Sequence, residues 1–286
     1  MSANIIDGKL VSSHIRALIS KETADITAQG VIPTLAVILV GNDPASAVYV
    51  RNKQRACLET GITPIQLTLP ENTTEEELLL QIDRLNSDDS VHGILVQLPL
   101  PKQISASKVI ARINPKKDVD AFTYDSVGRI LDSKYSFLPC TPAGIMKLLE
   151  YYGVEIAGSE CVVVGRSNIV GKPMALLLLN QSGTVTVCHS KTINLSEVTK
   201  RADILVVAVG KSKFITADMV KPGAVVIDVG INRGEDGKLS GDVDYDSVSE
   251  VASMITPVPG GVGPMTITML MQNTVTAAKM ALDNKK

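Results

Sequence analysis

The chain alternates between short apolar runs rich in β-branched residues and longer segments with helical periodicity. Continuous apolar runs are typical of strands that are buried on both faces of a parallel sheet. Because such strands alternate here with helical segments, the pattern predicts an α/β fold. The six runs are 34–40 (T-L-A-V-I-L-V), 93–98 (G-I-L-V-Q-L), 161–165 (C-V-V-V-G), 184–188 (T-V-T-V-C), 204–209 (I-L-V-V-A-V) and 224–229 (A-V-V-I-D-V).

The spacing of the runs predicts two domains. About 60 residues separate the second run from the third, and they include the Pro-flanked segment F-L-P-C-T-P-A-G at 137–144. Such a segment is typical of a domain boundary. We therefore expect an N-terminal α/β domain over 1–139, a Rossmann-type parallel-sheet domain over 140–264, and a cleft between them. The amphipathic segment 265–286 could pack on either domain, and we expect it to complete the first.

A glycine loop follows the third apolar run, in the segment V-V-V-G-R-S-N-I-V-G-K-P at 162–173. The pattern predicts a strand that ends at Gly165 and a helix that begins near Pro173. Such a turn directs backbone N–H groups and the positive end of a helix dipole at a phosphate. The dinucleotide fingerprint G-x-G-x-x-G would, however, need glycines where this chain has Ser167 and Val170. A tight turn without a ligand explains the loop equally well at this stage.

The end of the next strand indicates which dinucleotide the loop would bind. In NAD-binding Rossmann domains, a carboxylate about 20 residues after the glycines accepts hydrogen bonds from the ribose hydroxyls. Here the strand ends in C-H-S-K-T, so Ser190 and Lys191 stand where an acid would be expected. Together with Arg166, they suit the charged oxygens of a 2′-phosphate. The sequence therefore predicts NADP, with Gly165, Arg166, Ser167 and Ser190 as contacts.

A second candidate site lies in S-A-V-Y-V-R-N-K at 46–53. On a helix, Ser46, Tyr49 and Lys53 would share one face, and Ser46 is a candidate N-cap. Tyr-x-x-x-Lys is also the catalytic pair of short-chain dehydrogenases, in which it follows the nucleotide fingerprint. Here it precedes the glycine loop by more than 100 residues, which excludes that family. A chance pairing on a structural helix remains an alternative, and otherwise the pair belongs to a separate substrate domain.

Composition narrows the class of partner. The 286 residues are 45% hydrophobic, without an apolar stretch of membrane length or a signal peptide, so we expect a soluble cytoplasmic protein. The formal net charge of −2 and three scattered histidines give no basic stripe for nucleic acid and no metal cluster. Four widely spaced cysteines argue against a disulfide framework or a zinc site. The expected partner is a small molecule, with no metal, nucleic acid or membrane.

Seven segments together resemble one family, the bifunctional methylenetetrahydrofolate dehydrogenase/methenyltetrahydrofolate cyclohydrolases. The resemblance covers nearly the whole chain and follows the order of the family. One departure is visible: the family usually has glycine after K-D-V-D, where this chain has Ala121, which could stiffen or shift the loop that carries Asp120. The segments are V-G-N-D-P-A-S-A-V-Y-V-R-N-K, G-I-L-V-Q-L-P-L-P, K-D-V-D, P-C-T-P-A-G, V-V-G-R-S-N-I-V-G-K-P, C-H-S-K-T and I-T-P-V-P-G-G-V-G-P-M-T.

The resemblance implies two reactions: NADP-dependent oxidation of 5,10-methylenetetrahydrofolate to the methenyl cation, then hydrolysis to 10-formyltetrahydrofolate. Lys53 is the expected base, because a cationic substrate nearby would lower its pKa. Tyr49 offers its ring to the pterin, Ser46 on the same face is a further expected substrate contact, and Gln97 would fix the lysine amine. Asp120 suits the aminopyrimidine edge of the pterin, since a carboxylate accepts two parallel N–H bonds.

The resemblance also implies a homodimer, substrate contacts at Pro259, Gly260 and Gly261, and a cofactor contact at Ile231. Purely structural roles remain alternatives at three of the candidate positions. The 258–264 loop could be a connector, Gln97 could be a polar residue at the sheet edge, and Asp120 could be a capping aspartate. Two other functions also remain open. The chain could be an NADP-linked dehydrogenase of another substrate, or a nucleotide sensor that binds NADP without turnover.

Overall fold

The computed structural model describes residues 2–234 and 237–284, and the chain divides into two compact units. The Rossmann unit comprises Met1–Ser12 and Thr141–Thr266. The lysine unit comprises Ser13–Cys140 and Ile267–Lys286. The N-terminal residues therefore belong to the Rossmann unit, although the sequence analysis placed them with 1–139 in the other domain.

The described residues form short strands and longer helices in alternation. The strands are β1 (Asn4–Ile5), β2 (Thr34–Val40), β3 (Thr63–Leu69), β4 (Gly93–Val96), β5 (Glu160–Val164), β6 (Thr184–Cys188), β7 (Ile204–Val207), β8 (Val225–Asp228), β9 (Asn232–Arg233), β10 (Leu239–Ser240) and β11 (Met254–Ile255). The α-helices are α1 (Gly8–Ala28), α2 (Pro44–Thr60), α3 (Glu75–Ser87), α4 (Ala106–Arg112), α5 (Tyr124–Leu131), α6 (Cys140–Tyr151), α7 (Gly171–Asn180), α8 (Leu195–Thr199), α9 (Tyr245–Val248) and α10 (Val262–Asp283).

The Rossmann unit is built on a parallel sheet with the strand order β1-β11-β8-β7-β5-β6. All four residues of β7 and of β8 are buried, as the continuous apolar runs predicted. Strand β6 pairs with one edge of β5, and the chain then returns so that β7 pairs with the other edge of β5. This reversal makes the carboxyl end of β5 a topological switch point, where open α/β sheets bind ligands.

Strand β1 explains why the domain boundary differs from the expected one. Its two residues pair in parallel with β11, so that Asn4 lies opposite Met254 and Ile5 opposite Ile255. Ile6, which follows, is fully buried. A two-residue strand has no periodicity to read, and its partner lies about 250 residues away in sequence. The chain therefore begins in the Rossmann unit before it enters the lysine unit.

The lysine unit contains a second parallel sheet with the order β3-β2-β4. The central strand β2 is buried at all seven positions, and it was predicted with the same bounds. Strand β3 was missed because it lies at the sheet edge, where polar Gln66 and Thr68 interrupt the apolar positions and Pro64 weakens the strand signal. Among the described residues, no helix is both long and apolar enough to span a bilayer.

Candidate functional site

Helix α2 carries the tyrosine and the lysine of the candidate substrate site. It begins at Pro44, and Asp43 is the N-cap, since its carboxylate accepts a hydrogen bond of 2.7 Å from the Ser46 backbone N–H. The expectation that Ser46 caps the helix is therefore wrong. An Asp cap followed by proline at the first helical position is a strong start signal, because proline lacks the N–H that would be left unpaired. Ser46 lies inside the helix and is buried.

The structure brings Lys53 together with Gln97. The Lys53 ammonium nitrogen Nζ lies 3.0 Å from Gln97 Oε1, which accepts its hydrogen bond. The amide nitrogen of Gln97 donates in turn to the Leu98 carbonyl at 2.7 Å. Because the nitrogen is used there, the oxygen faces the lysine. Tyr49, one turn before Lys53, is 41% exposed, so its ring is accessible to a ligand.

Burial lowers the pKa of Lys53. Removal from water disfavours the charged ammonium, and this effect exceeds the opposing influence of Asp120, whose negative charge raises the lysine pKa. The sequence analysis had attributed a lowered pKa to a cationic substrate. The protein itself supplies the shift, so Lys53 is biased towards the neutral amine before any ligand binds.

Asp120 lies in a loop that a different aspartate braces. The buried Asp118 carboxylate accepts hydrogen bonds from the Phe122 N–H at 3.2 Å, the Thr123 N–H at 2.8 Å and the Ser126 hydroxyl at 2.7 Å. Asp118 thus holds the backbone that leads into α5, and Thr123 is the N-cap of that helix. Burial raises the pKa of Asp120, and the Lys53 charge opposes this rise. The loop therefore presents Asp120 to the lysine.

Ala121 has backbone angles that favour glycine. Its φ is +58°, in the left-handed region, and its side chain is fully buried. An L-residue there costs roughly 1–2 kcal/mol. The loop keeps the conformation that the family glycine would adopt without strain, so the substitution stores strain next to Asp120.

Two further residues of this site were missed in the sequence analysis. Cys140 is buried with its Sγ 3.7 Å from Asp120 Oδ1, and Asn273 on α10 donates to the carbonyls of Val119 and Leu138. The available signal for Asn273 was an amide among the apolar residues of an amphipathic helix. For Cys140 it was its place in P-C-T-P-A-G, which nothing linked to Asp120 before the fold was known.

In the glycine loop of the Rossmann unit, backbone segments lie too close together for side chains at two positions. Gly165 has a φ of +135°, and a Cβ there would overlap the Ala208 carbonyl oxygen. A Cβ at Gly171 would overlap the Gly165 carbonyl oxygen. Both positions therefore require glycine, which brings the start of α7 close to the end of β5, as dinucleotide-binding turns do.

The start of α7 differs from its expected form. The helix begins at Gly171, two residues before Pro173. The Ser167 hydroxyl accepts hydrogen bonds from the N–H groups of Val170 at 3.2 Å and Gly171 at 3.3 Å. These two amides are thus occupied within the protein, so phosphate recognition must depend on other groups of the loop.

Basic and hydroxyl side chains surround this turn. Arg166 is exposed directly after Gly165, and Ser190 and Lys191 are exposed after the end of β6. Strand β6 is hydrogen-bonded to β5 and is the edge strand of the sheet. The segment after β6 carries no carboxylate up to Thr192. This donor set at the switch point fits a phosphorylated ribose better than a free diol.

Two buried aspartates hold the loops that follow β7 and β8. Asp242 accepts from three successive N–H groups, those of Val209, Gly210 and Lys211, at 2.6–2.9 Å. It also accepts from the Asn232 side chain at 2.9 Å. Asp228 accepts from the Gly230 N–H at 2.9 Å, and burial raises its pKa to about 6. Gly230 and Asn232 flank Ile231, which is 47% exposed, so the side chain of Ile231 projects from a braced loop.

The segment that carries Pro259, Gly260 and Gly261 packs within the Rossmann unit. The Gly260 carbonyl accepts a hydrogen bond of 3.1 Å from the Lys9 N–H, and the Gly261 N–H donates to the Pro257 carbonyl at 2.8 Å. The loop is therefore hydrogen-bonded to the start of α1. A simple connector would not need this bond.

Two family models match the chain in succession. The catalytic domain of tetrahydrofolate dehydrogenase/cyclohydrolase matches residues 6–120, and the NAD(P)-binding domain of the same enzymes matches residues 139–282. The chain belongs to the tetrahydrofolate dehydrogenase/cyclohydrolase family. The family predicted from the seven segments is confirmed, and so is the two-domain α/β fold with a Rossmann-like sheet.

Members of this family are similar to the chain over almost their whole length. The bifunctional protein FolD of Acetivibrio thermocellus is 62% identical over 98% of both chains. The solved structure of the Campylobacter jejuni FolD enzyme has a TM-score of 0.96 and 50% identity over 98% of this chain and 99% of its own. The Trypanosoma brucei family member, solved with NADP cofactor and an inhibitor, has a TM-score of 0.93 and 38% identity over 98% of each chain.

Proposed function

We infer that this family member is an NADP-dependent 5,10-methylenetetrahydrofolate dehydrogenase and a 5,10-methenyltetrahydrofolate cyclohydrolase. The observation that carries the inference is the Lys53 amine, held by Gln97 beside Asp120 and biased by burial towards its neutral form. Only the neutral amine can accept a proton, and general-base catalysis is most efficient with a pKa near the working pH. Membership of the tetrahydrofolate dehydrogenase/cyclohydrolase family indicates that the substrate of this base is a folate.

For the hydrolysis, we propose that Lys53 takes a proton from the water that attacks the methenyl carbon. The new C–O bond neutralises the cation. The C–N5 bond then breaks as the carbonyl forms, N5 takes the proton back from Lys53, and the hydroxyl proton leaves to solvent, which gives the 10-formyl product. Gln97 Oε1, at 3.0 Å from Nζ, holds the amine in one direction. Asp120 accepts N–H bonds from the aminopyrimidine edge of the substrate, and the accessible ring of Tyr49 lies against the flat pterin. Buried Ser46 supports the same face of α2.

For the oxidation, NADP+ supplies the hydride acceptor when it is bound, and the protein orients it. We propose that Arg166 and Ser190 bind the 2′-phosphate through charge-assisted and hydroxyl hydrogen bonds. The backbone of Gly165 and Ser167 approaches the cofactor at the turn, and Ile231 contacts it from the loop after β8. Pro259, Gly260 and Gly261 are proposed as substrate contacts on the basis of the family resemblance.

The proposed function is tested with purified protein and 5,10-methylenetetrahydrofolate. Nicotinamide reduction and methenyl absorbance are followed together with NADP+ and, separately, with NAD+. We expect reduction with NADP+, and independent hydrolysis of added methenyltetrahydrofolate without any dinucleotide. Reduction without hydrolysis would indicate a dehydrogenase that lacks the lysine chemistry. Binding of NADP without turnover of any folate would indicate a sensor.

We also propose that the protein works in the cytoplasm as a homodimer and acts on folate without a nucleic-acid partner. The four cysteines are free and buried, which suits a reducing compartment. Light scattering of the purified chain tests the dimer, for which a molar mass of about twice 30.4 kDa is expected. A mass of one chain across the working concentration range would contradict it.

A further inference from the structure

A buried amide joins the two backbone segments that carry Asp120 and Cys140. Asn273 lies on α10 and is 8% exposed. Its Nδ2 lies 2.8 Å from the Val119 carbonyl oxygen and 2.9 Å from the Leu138 carbonyl oxygen. Val119 directly precedes Asp120, and Leu138 lies two residues before Cys140. A single NH₂ group, with its two hydrogens, thus connects both segments.

Cys140 lies between the Asn273 amide and the Asp120 carboxylate. Its Sγ lies 3.7 Å from Asn273 Nδ2 and 3.7 Å from Asp120 Oδ1. The Asp120 side chain therefore contacts a residue that Asn273 also contacts. A change at Asn273 reaches Asp120 through the backbone of Val119 and through the sulfur of Cys140.

Two threonine hydroxyls near Asn273 on α10 bond within the helix, whereas the Gln272 amide donates to Glu22 on α1 at 3.1 Å. The Thr274 hydroxyl donates to the Leu270 carbonyl at 2.8 Å, and the Thr276 hydroxyl donates to the Gln272 carbonyl at 2.9 Å. These bonds satisfy a buried hydroxyl locally. The Asn273 amide reaches outside the helix instead, and both of its carbonyl partners adjoin the candidate site. Loss of the donor would remove one hydrogen bond from each carbonyl oxygen, although the Val119 oxygen would keep the bond from the Cys140 thiol at 3.4 Å.

We propose that Asn273 is a positioning residue that fixes Asp120 for the aminopyrimidine edge of the folate. Asn273 holds the carbonyl that precedes Asp120, and the Asp118 carboxylate holds the N–H groups of Phe122 and Thr123 that follow it. The backbone at Asp120 is therefore fixed on both sides. The inference rests on the proposed role of Asp120 as a substrate contact, and it assigns a function to the C-terminal helix.

The test compares three variants on α10 in the full-length enzyme. Asn273→Ala removes the donor. Asn273→Asp keeps the size of the side chain and replaces the amide NH₂ group by an oxygen that repels both carbonyl oxygens. Thr274→Val is the matched control, because Thr274 is also buried and its hydroxyl bond stays within the helix. We expect both Asn273 variants to raise the KM for folate about 10-fold, in the range of coupled contact residues. The affinity for NADP should not change, and Thr274→Val should keep the wild-type KM.

A merely structural role gives a different result. Loss of folded protein lowers the active fraction and hence kcat, while KM for folate stays at the wild-type value. Thermal unfolding of each variant identifies the folded proteins, and Asn273→Ala alone carries the comparison if the more disruptive Asn273→Asp does not fold. An unchanged KM in a folded Asn273 variant overturns the proposal.

A double-mutant cycle with Asp120→Ala separates this inference from the proposed function. If Asn273 acts through Asp120, the 10-fold effect should shrink to less than about 3-fold when Asp120 is already alanine. A full effect in that background would show that Asn273 acts elsewhere, which overturns the inference and leaves the role of Asp120 intact. A wild-type KM in Asp120→Ala alone would overturn the role of Asp120 first.

Discussion

The two candidate sites of this enzyme are organised in different ways. In the lysine unit, Lys53 and Asp120 are half-buried, burial shifts the pKa of each, and the side chain of Gln97 and the loop around Asp118 hold them in place. In the Rossmann unit, the turn is shaped by backbone contacts at Gly165, while side chains such as Arg166 project into solvent. One site is tuned by burial and the other by the shape of the main chain.

This difference separates the chemistry from the selection of the cofactor. Burial lowers the pKa of Lys53, so this side chain loses its proton at a lower pH than an exposed lysine does. An exposed arginine keeps its charge and contributes through attraction to a phosphate. Substitutions in the lysine unit should therefore affect hydrolysis or folate binding, and substitutions at the turn should affect NADP binding. Three substitutions test this separation, and a fourth tests the strain at Ala121, in order of decreasing expected effect.

The largest effect is expected for Lys53→Met, which keeps most of the stem and removes the amine. Hydrolysis of methenyltetrahydrofolate should fall roughly 100-fold or more, the usual scale for loss of a general base. NADP affinity should stay at the wild-type value, because the cofactor contacts lie in the Rossmann unit. Lys102→Met, at an exposed position, serves as the control and should hydrolyse normally. Hydrolysis by Lys53→Met at close to the wild-type rate would exclude Lys53 as the base.

Asp120→Ala should come next, with folate affinity reduced roughly 100-fold, which is near the upper end of the effect of one charged hydrogen bond. Titrations with folate and with NADP in the same variant measure the separation of the sites directly. Asp132→Ala, an exposed change at the end of α5, should leave both affinities unchanged. A parallel fall of the folate and NADP affinities would indicate that Asp120 only supports the fold.

Arg166→Ala tests the turn. Removal of the guanidinium should reduce NADP affinity about 10- to 150-fold, since a charged hydrogen bond contributes roughly 1.5–3 kcal/mol. NAD carries no 2′-phosphate, so its binding should change little, and hydrolysis needs no dinucleotide at all. Arg84→Ala on α3 is the control for loss of an exposed arginine. Equal losses with NADP+ and NAD+ would show that Arg166 shapes the turn and does not bind the phosphate.

The smallest effect concerns the strained Ala121. Ala121→Gly should raise the free energy of unfolding by about 1 kcal/mol, because glycine adopts a φ of +58° without strain. Denaturant unfolding measures the change. Ala111→Gly, at an exposed position of α4, should lower the free energy of unfolding by a similar amount. A destabilising Ala121→Gly would mean that the buried methyl group contributes more by packing than the backbone loses by strain.

The sequence predicted those features that depend on local pattern. Buried parallel strands such as β2 have continuous apolar runs, and the tight turn after β5 has its glycines in sequence. The missed features depend on contacts between distant segments. Asn273 and Val119 are 154 residues apart, and the burial that lowers the pKa of Lys53 is created by the folded unit as a whole. The pattern of residues along the chain shows neither the contact of Asn273 with Val119 nor the burial of Lys53.

The central claim, that Lys53 is a desolvated base before substrate binds, is tested most directly by its own titration. NMR of the free enzyme with ¹³C-labelled lysine side chains gives the pKa of each lysine, and Lys53→Met identifies the Lys53 signal. The account predicts a pKa clearly below the ordinary value of 10.5, since burial disfavours the ammonium. Hydrolytic activity should then rise with pH until Lys53 has lost its proton, and the rise should end below that value. Titration of Lys53 at 10.5 or above in the free enzyme would contradict the account.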